Sequence, residues 1–237
     1  ADKRRGAPSA NARWDNSLAI LVGDFLFAQV SELVSHLGPE MVRIQAQTFS
    51  RLVRGQIRET LGPVDGEPPL EHYLSVVADK TGSLIAAAAR FGAKMSGAPE
   101  EVEQALTEFG ERIGAAFQLA DDIIDIASES VDSGKTPGTD LREGVPTLPT
   151  LLVQSMSADS TEPADVRLLD LLSRPLSDDA EVEEALGLLR VHPAMDEARA
   201  LVQADADAAR ALLSALPDTA ARRALDDVCD VVVNRLG

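Results

Sequence analysis

The chain has 237 residues, enough for one large domain, and at 45% apolar it can bury a substantial core, which excludes intrinsic disorder. Acidic residues outnumber basic ones 39 to 22, and the formal charge of −17 argues against nucleic acid as a partner, because a phosphate backbone would be repelled. The single cysteine, Cys229, excludes an internal disulfide and suits a reducing compartment such as the cytoplasm.

Aromatic residues make up only 3% of the chain, while alanine and leucine abound, a mixture that favours helices over sheets. Residues 1–13 are polar and small and read as a loop without an apolar signal core. From Trp14 to about Leu37, Leu18, Leu21, Val22, Phe25, Leu26 and Leu33 recur at the spacing of an amphipathic helix. The stretch from Leu18 to Val30 is the most apolar, but Asp24 interrupts it, so no transmembrane segment is expected. Gly38-Pro39 ends that helix and opens a second, which runs to Leu61 before Gly62-Pro63. A third covers roughly Leu70 to Met95, and a fourth runs from near Pro99 past Asp125. A loop punctuated by glycine and proline spans Ser130 to Val145, after which helical periods return over 146–153, 164–173, 178–190, 194–214 and 217–236. No strand alternation or repeat is visible. The expected architecture is all-α, a single domain over residues 1–237.

The fourth helix carries the most informative run, Gly114 to Ile126. At about 100° per residue, Asp121 and Asp125 lie within about 40° of each other on the helix, Asp122 is close beside them, and Gln118 shares the stripe one turn earlier. Carboxylates this close repel one another unless a cation intervenes. Hard oxygen donors suit Mg²⁺, which takes one or two carboxylates and completes its shell with water and phosphate oxygens. A solvated helix face explains an acidic pair equally simply, although the apolar neighbours Phe117 and Ile124 flank the stripe on both sides. Ten residues past Asp125, Lys135 stands in Gly134-Lys-Thr-Pro-Gly-Thr-Asp140, where a lysine makes a point-charge clamp for diphosphate.

These residues resemble a known family. Phe117-Gln-Leu-Ala-Asp-Asp-Ile-Ile-Asp125 is similar to the second aspartate-rich motif of trans-isoprenyl diphosphate (polyprenyl) synthases, in particular actinobacterial long-chain members. Gly134 to Gly144 and Thr147-Leu-Pro149 resemble its continuation, and Lys80-Thr81-Gly-Ser-Leu84 resembles the family's Lys-Thr motif. Arg4-Arg5-Gly6 and Leu21 to Phe27 resemble the segment that follows its first aspartate-rich motif.

The resemblance implies a helical bundle around a central cavity and an Mg²⁺-dependent prenyltransferase, using up to three ions. Its substrates would be isopentenyl diphosphate and an allylic diphosphate, its product a linear trans-polyprenyl diphosphate. It further implies that Asp121, Asp122 and Asp125 bind metal. Arg4, Lys80 and Lys135 would hold the allylic diphosphate, and Arg5 the isopentenyl diphosphate. Thr81 and Gln118 would face the nascent cation, and the enzyme would work as a homodimer. The family's first Asp-Asp-x-x-Asp motif and its N-terminal helices are expected before Ala1, so half of the metal site falls outside this chain. Other departures are aspartate at position 15, where glycine is common, Gln56 and Glu59 in exchanged order, and Val145 in place of a common lysine. The alternatives are a non-catalytic partner subunit, which degeneration at Lys80, Asp121, Asp122 or Lys135 would have favoured, and a class I terpene cyclase, which generally lacks the arginine pair and the Gly-Lys loop.

Overall fold

The structure, a computed structural model, describes residues 3–4, 7–128 and 137–235. Its helices are α1 (Ala10–Ser35), α2 (Pro39–Leu61), α3 (Pro69–Val77), α4 (Ser83–Met95), α5 (Glu100–Ala127), α6 (Thr139–Glu143), α7 (Leu148–Met156), α8 (Pro163–Leu172), α9 (Asp179–Val191), α10 (Ala194–Leu212) and α11 (Ala220–Asn234). Ahead of them, Lys3–Arg4 (β1) and Ala7–Pro8 (β2) pair as a short antiparallel ribbon, where a plain loop was expected. The fold is all-α apart from that ribbon.

Local chemistry sets the helix ends. Ser9 caps α1 by accepting from the Ala12 amide at 3.1 Å, so the helix starts ahead of Trp14. Inside it, Asp15 adopts φ 69° and ψ 169°, a region that costs a side-chain-bearing residue energy and suits glycine. Asp15 partly compensates by re-capping the helix, its Oδ1 accepting from the Leu18 amide at 3.1 Å. Gly38 (φ 99°) and Gly62 (φ 75°) stand at the two ends of α2, and Pro39 fits its first turn.

The third helix differs from expectation. Instead of running unbroken from Leu70 to Met95, it widens into a π-turn over Ala78–Gly82 between α3 and α4. The segment expected as loop between Ser130 and Val145 also holds a short helix, α6, with left-handed glycines, Gly138 and Gly144, at its two ends.

α5 is the hub. Phe109, Ile113, Ala116, Leu119, Ala120, Ile123 and Ile126 are buried along it, packed against α4, α10, α7, α9 and α11. Glycines admit one of these neighbours at backbone distance. A Cβ on Gly110 would stand 2.5 Å from the Ala86 Cα, and one on Gly114 would stand 2.9 Å from the Gly82 Cα. On the other flank α10 presents Ala194, Ala198, Val202 and Ala206, all buried and spaced one turn apart, which gives the shallow groove a close helix pair needs.

α1 is different in kind. Leu21, Phe25 and Leu33 are each more than 60% exposed, and Val34 is its only buried residue among those described. It is long and apolar enough to cross a bilayer by length and composition, which corrects the expectation that no segment qualifies. A single aspartate does not stop a helix of this length from meeting that test. So large an apolar surface marks an interaction face.

The glycine seam predicts opposite signs at two helical glycines. Gly110→Ala should lower unfolding free energy by about 1–3 kcal/mol through overpacking. Gly92→Ala in α4, where an added Cβ meets nothing within 4 Å, should raise it by up to about 1 kcal/mol through helix propensity. Denaturant melts of both variants check this, and equal effects would mean that the close approach is absent.

Candidate active site

The C-terminal half of α5 is apolar all round except for one polar stripe, so its polar groups enter the interior only where protein partners meet them. Three elements supply those partners. Thr81, in the π-turn, donates from Oγ1 to the Gln118 Oε1 at 3.3 Å. Gln118 in turn donates from Nε2 to the Asp122 Oδ1 at 3.3 Å, one helical turn on. Asp122 is buried, and its other oxygen accepts from the Tyr73 hydroxyl of α3 and from the Leu148 amide at 3.3 Å. A relay of hydrogen bonds thus joins α3, α5, α7 and the π-turn.

Electrostatics follow from that enclosure. Burial raises the Asp122 carboxyl above the ordinary aspartate range, while bonds from Tyr73, Leu148 and Gln118 pull the other way. The Tyr73 phenol is pushed well above its usual value, first by its own burial and then by the neighbouring carboxylate. Tyr73 therefore stays a neutral donor.

The three aspartates point to three different partners. Asp121 accepts from Arg235 at 2.5 Å, and that guanidinium also lies 4.6 Å from the centre of the Phe117 ring. Asp122 has both oxygens engaged by protein donors. Asp125 is buried, its Oδ2 accepting from the Asp140 amide at 3.4 Å and its carbonyl from the Gly138 amide at 3.1 Å, which ties α5 to the start of α6. Among the described residues no three acidic, histidine or cysteine groups converge as a ready-made metal cage. The physical reason is the 100° step of the helix, which aims adjacent Asp121 and Asp122 apart. The donor set nevertheless fits a hard cation. Asp121 and Asp125 offer carboxylate oxygens, and Asp121 already attracts a positive group. Magnesium needs no more protein ligands than these when phosphates and water complete its shell.

Lys80 sits beside Thr81 in the π-turn and donates to the Glu59 Oε2 at 2.6 Å. Gln56 holds that same oxygen at 2.8 Å, so the exchanged order of Gln56 and Glu59 places a carboxylate where it can keep the lysine. Arg5 and Lys135 lie outside the described residues, and of Arg4 only the backbone, in β1, is described. The expected central cavity is not closed off by these residues, for Phe117, Leu84 and Ile85 are each more than 40% exposed. Sequence reasoning missed Tyr73 and Arg235. Tyr73 was findable as the chain's single tyrosine, since a buried hydroxyl needs a partner; Arg235 had no signal, being 114 residues from Asp121.

A family model described as polyprenyl synthetase matches residues 1–189, which span Lys80, Thr81, Gln118 and the three aspartates. The chain belongs to the polyprenyl synthetase family. It is 53% identical over 237 residues to a nonaprenyl diphosphate synthase of Mycobacterium tuberculosis, covering 100% of this chain and 70% of that protein. It is 44% identical over 234 residues to a dimethylallyltranstransferase of the same organism, covering 99% of this chain and 70% of that protein. Its structure superposes on a geranylgeranyl pyrophosphate synthase from Corynebacterium glutamicum, complexed with calcium and isoprenyl diphosphate, with a TM-score of 0.85 and 47% identity. That match covers 97% of this chain and 70% of the other. The helical frame of this polyprenyl synthetase is therefore that of known prenyl diphosphate synthases.

The relay predicts a cost for a single atom. Tyr73→Phe removes the hydroxyl that serves buried Asp122 and should destabilise the fold by about 1–3 kcal/mol. Because phenylalanine fills the same space, a melting curve identical to the parent would show that the carboxylate does not depend on this bond.

Proposed function

We propose that this polyprenyl synthetase condenses isopentenyl diphosphate with an allylic diphosphate, in a Mg²⁺-dependent reaction, to give a long linear trans-polyprenyl diphosphate. The chain is a prenyltransferase of a family whose named members include polyprenyl diphosphate synthases. The observation that carries the detailed reading is the Thr81–Gln118 bond, which joins the π-turn of Lys80 to the helix of Asp121 and Asp125.

Each residue has a chemical duty on this reading. The allylic C–O bond breaks, the diphosphate leaves with the electron pair, the isopentenyl double bond attacks the allyl cation, and the new carbocation then gives a proton to the released diphosphate. Lys80, with Arg4 and Lys135, neutralises the departing allylic diphosphate, while Arg5 holds the isopentenyl diphosphate. The oxygens of Thr81 and Gln118 face the cation without acting as nucleophiles of any strength. Asp121 and Asp125 would hold magnesium, which supplies charge stabilisation for the leaving oxygens. Asp122, enclosed by Tyr73, Leu148 and Gln118, holds the Gln118 amide in place and is the least suited of the three to direct coordination.

The exposed apolar faces of α1 and α2 support a homodimer built through them. The buried free thiol of Cys229 supports a cytoplasmic location.

In the full-length protein, diphosphate release should vanish with a chelator and return with Mg²⁺. Asp121→Ala should lower turnover by about a hundredfold or more, as loss of a charge-stabilising group does. Unchanged turnover in that variant would remove Asp121 from the site.

A further inference from the structure

We infer that Arg51 is a positioning residue, which holds the π-turn in the register that presents Lys80 and Thr81 to α5. This inference rests on the proposed roles of those two residues. A π-turn is rare because each i→i+5 step packs less well than the α-helix around it, and it persists where neighbours hold it. Here α3 and α4 would otherwise form one helix, and the segment between them is Ala78-Asp79-Lys80-Thr81-Gly82.

Arg51, on α2, reaches that segment with its whole fork. Its Nε donates to the Asp79 Oδ1 at 3.0 Å, its Nη2 to the Ala78 carbonyl at 3.4 Å and to the Glu111 Oε2 at 3.2 Å, and its Nη1 to the Glu111 Oε1. Asp79 is the residue before Lys80, and Glu111 lies on α5 two turns before Gln118. One guanidinium therefore ties the turn to the helix that carries its hydrogen-bond partner.

The surroundings are built for this contact. A Cβ on Gly55 would come within 3.0 Å of the Asp79 Cβ and 3.2 Å of the Lys80 amide nitrogen, and one on Gly82 within 3.1 Å of the Glu111 carbonyl oxygen. α2 and α5 thus approach the turn at backbone distance from two sides, and Arg51 links both. The Ser83 hydroxyl adds a bond to the Asp79 carbonyl at 2.6 Å. The Asp79 and Glu111 side chains are 19% and 29% exposed, so water screens these pairs less than it screens surface ones. Lysine at position 51 would keep the charge and lose the geometry, since only the planar fork serves two carboxylates and a carbonyl together.

A plain stabilising ion pair would look similar in a melting curve, so the test reads coupling to Lys80. In the full-length protein, Mg²⁺ with inorganic pyrophosphate serves as the probe, with affinity measured by titration calorimetry. Arg51→Met, Lys80→Ala and the double variant are compared with the parent. Arg51→Met should weaken binding about tenfold and lower kcat at least as much, with the KM for isopentenyl diphosphate unchanged. The double variant should bind no worse than Lys80→Ala alone, because both changes remove one interaction. Additive losses, or an Arg51→Met protein that only melts earlier while binding and turnover per folded molecule hold, would overturn the inference. If Lys80→Ala leaves binding intact, the proposed diphosphate role of Lys80 fails, and the role of Arg51 fails with it. Should Arg51→Met not fold, Glu111→Gln loosens the same fork from the other side, and the same comparisons decide.

Discussion

The close approach of the π-turn to α5 is the constraint on which the site depends. Side chains normally keep helix axes 8–10 Å apart. Here Gly82 and Gly114 face each other so closely that an added Cβ on the latter would overlap the former's backbone. Only at that separation can the short Thr81 side chain bond the Gln118 amide directly. A larger residue at either glycine would push the threonine out of reach before it disturbed any carboxylate.

Against this seam stands a buried anion, and its treatment differs from that of the neighbouring acids. Asp122 is enclosed and fully served by neutral donors, which specify orientation without supplying charge. Asp121 is half-open and meets a guanidinium. Two adjacent aspartates thereby acquire different chemistry from the same helix, one acting as a strut and the other pairing with a cationic side chain. The distinction comes from the helical step, which turns one side chain towards α3 and α7 and the next towards α11.

Much of this was legible in the chain itself. Apolar spacing placed α2, α5 and α10 within a few residues, because each helix carries a stripe that must be buried. Glycine and proline marked the ends of α2 correctly, and the aspartate run stood out because polar residues interrupt an otherwise apolar helix. The π-turn was invisible: Ala78 to Gly82 has no composition that separates an i→i+5 turn from an ordinary one, and the deviation is imposed by α2 and α5 from outside. Long-range partners were equally hidden. Tyr73 and Asp122 lie 49 residues apart, and Arg51 and Glu111 lie 60 apart, distances at which periodicity carries no information. α1 was underrated for a different reason, since counting uninterrupted apolar residues ignores how a long helix presents its surface. The sequence motifs pointed to candidate groups, and the folded chain added the partners that hold Thr81, Gln118 and Asp122.

The contact between Arg235 and Asp121 changes what loading the site means. An empty carboxylate would gain the full attraction of an arriving ion, whereas this one already has a positive neighbour stacked on Phe117. On the proposed role of Asp121, a metal ion arriving there would meet a positive group already in place, so binding would be an exchange of one cation for another. Through this one ion pair the C-terminal end of α11 is tied to the charge on Asp121, on another helix and 114 residues away in sequence.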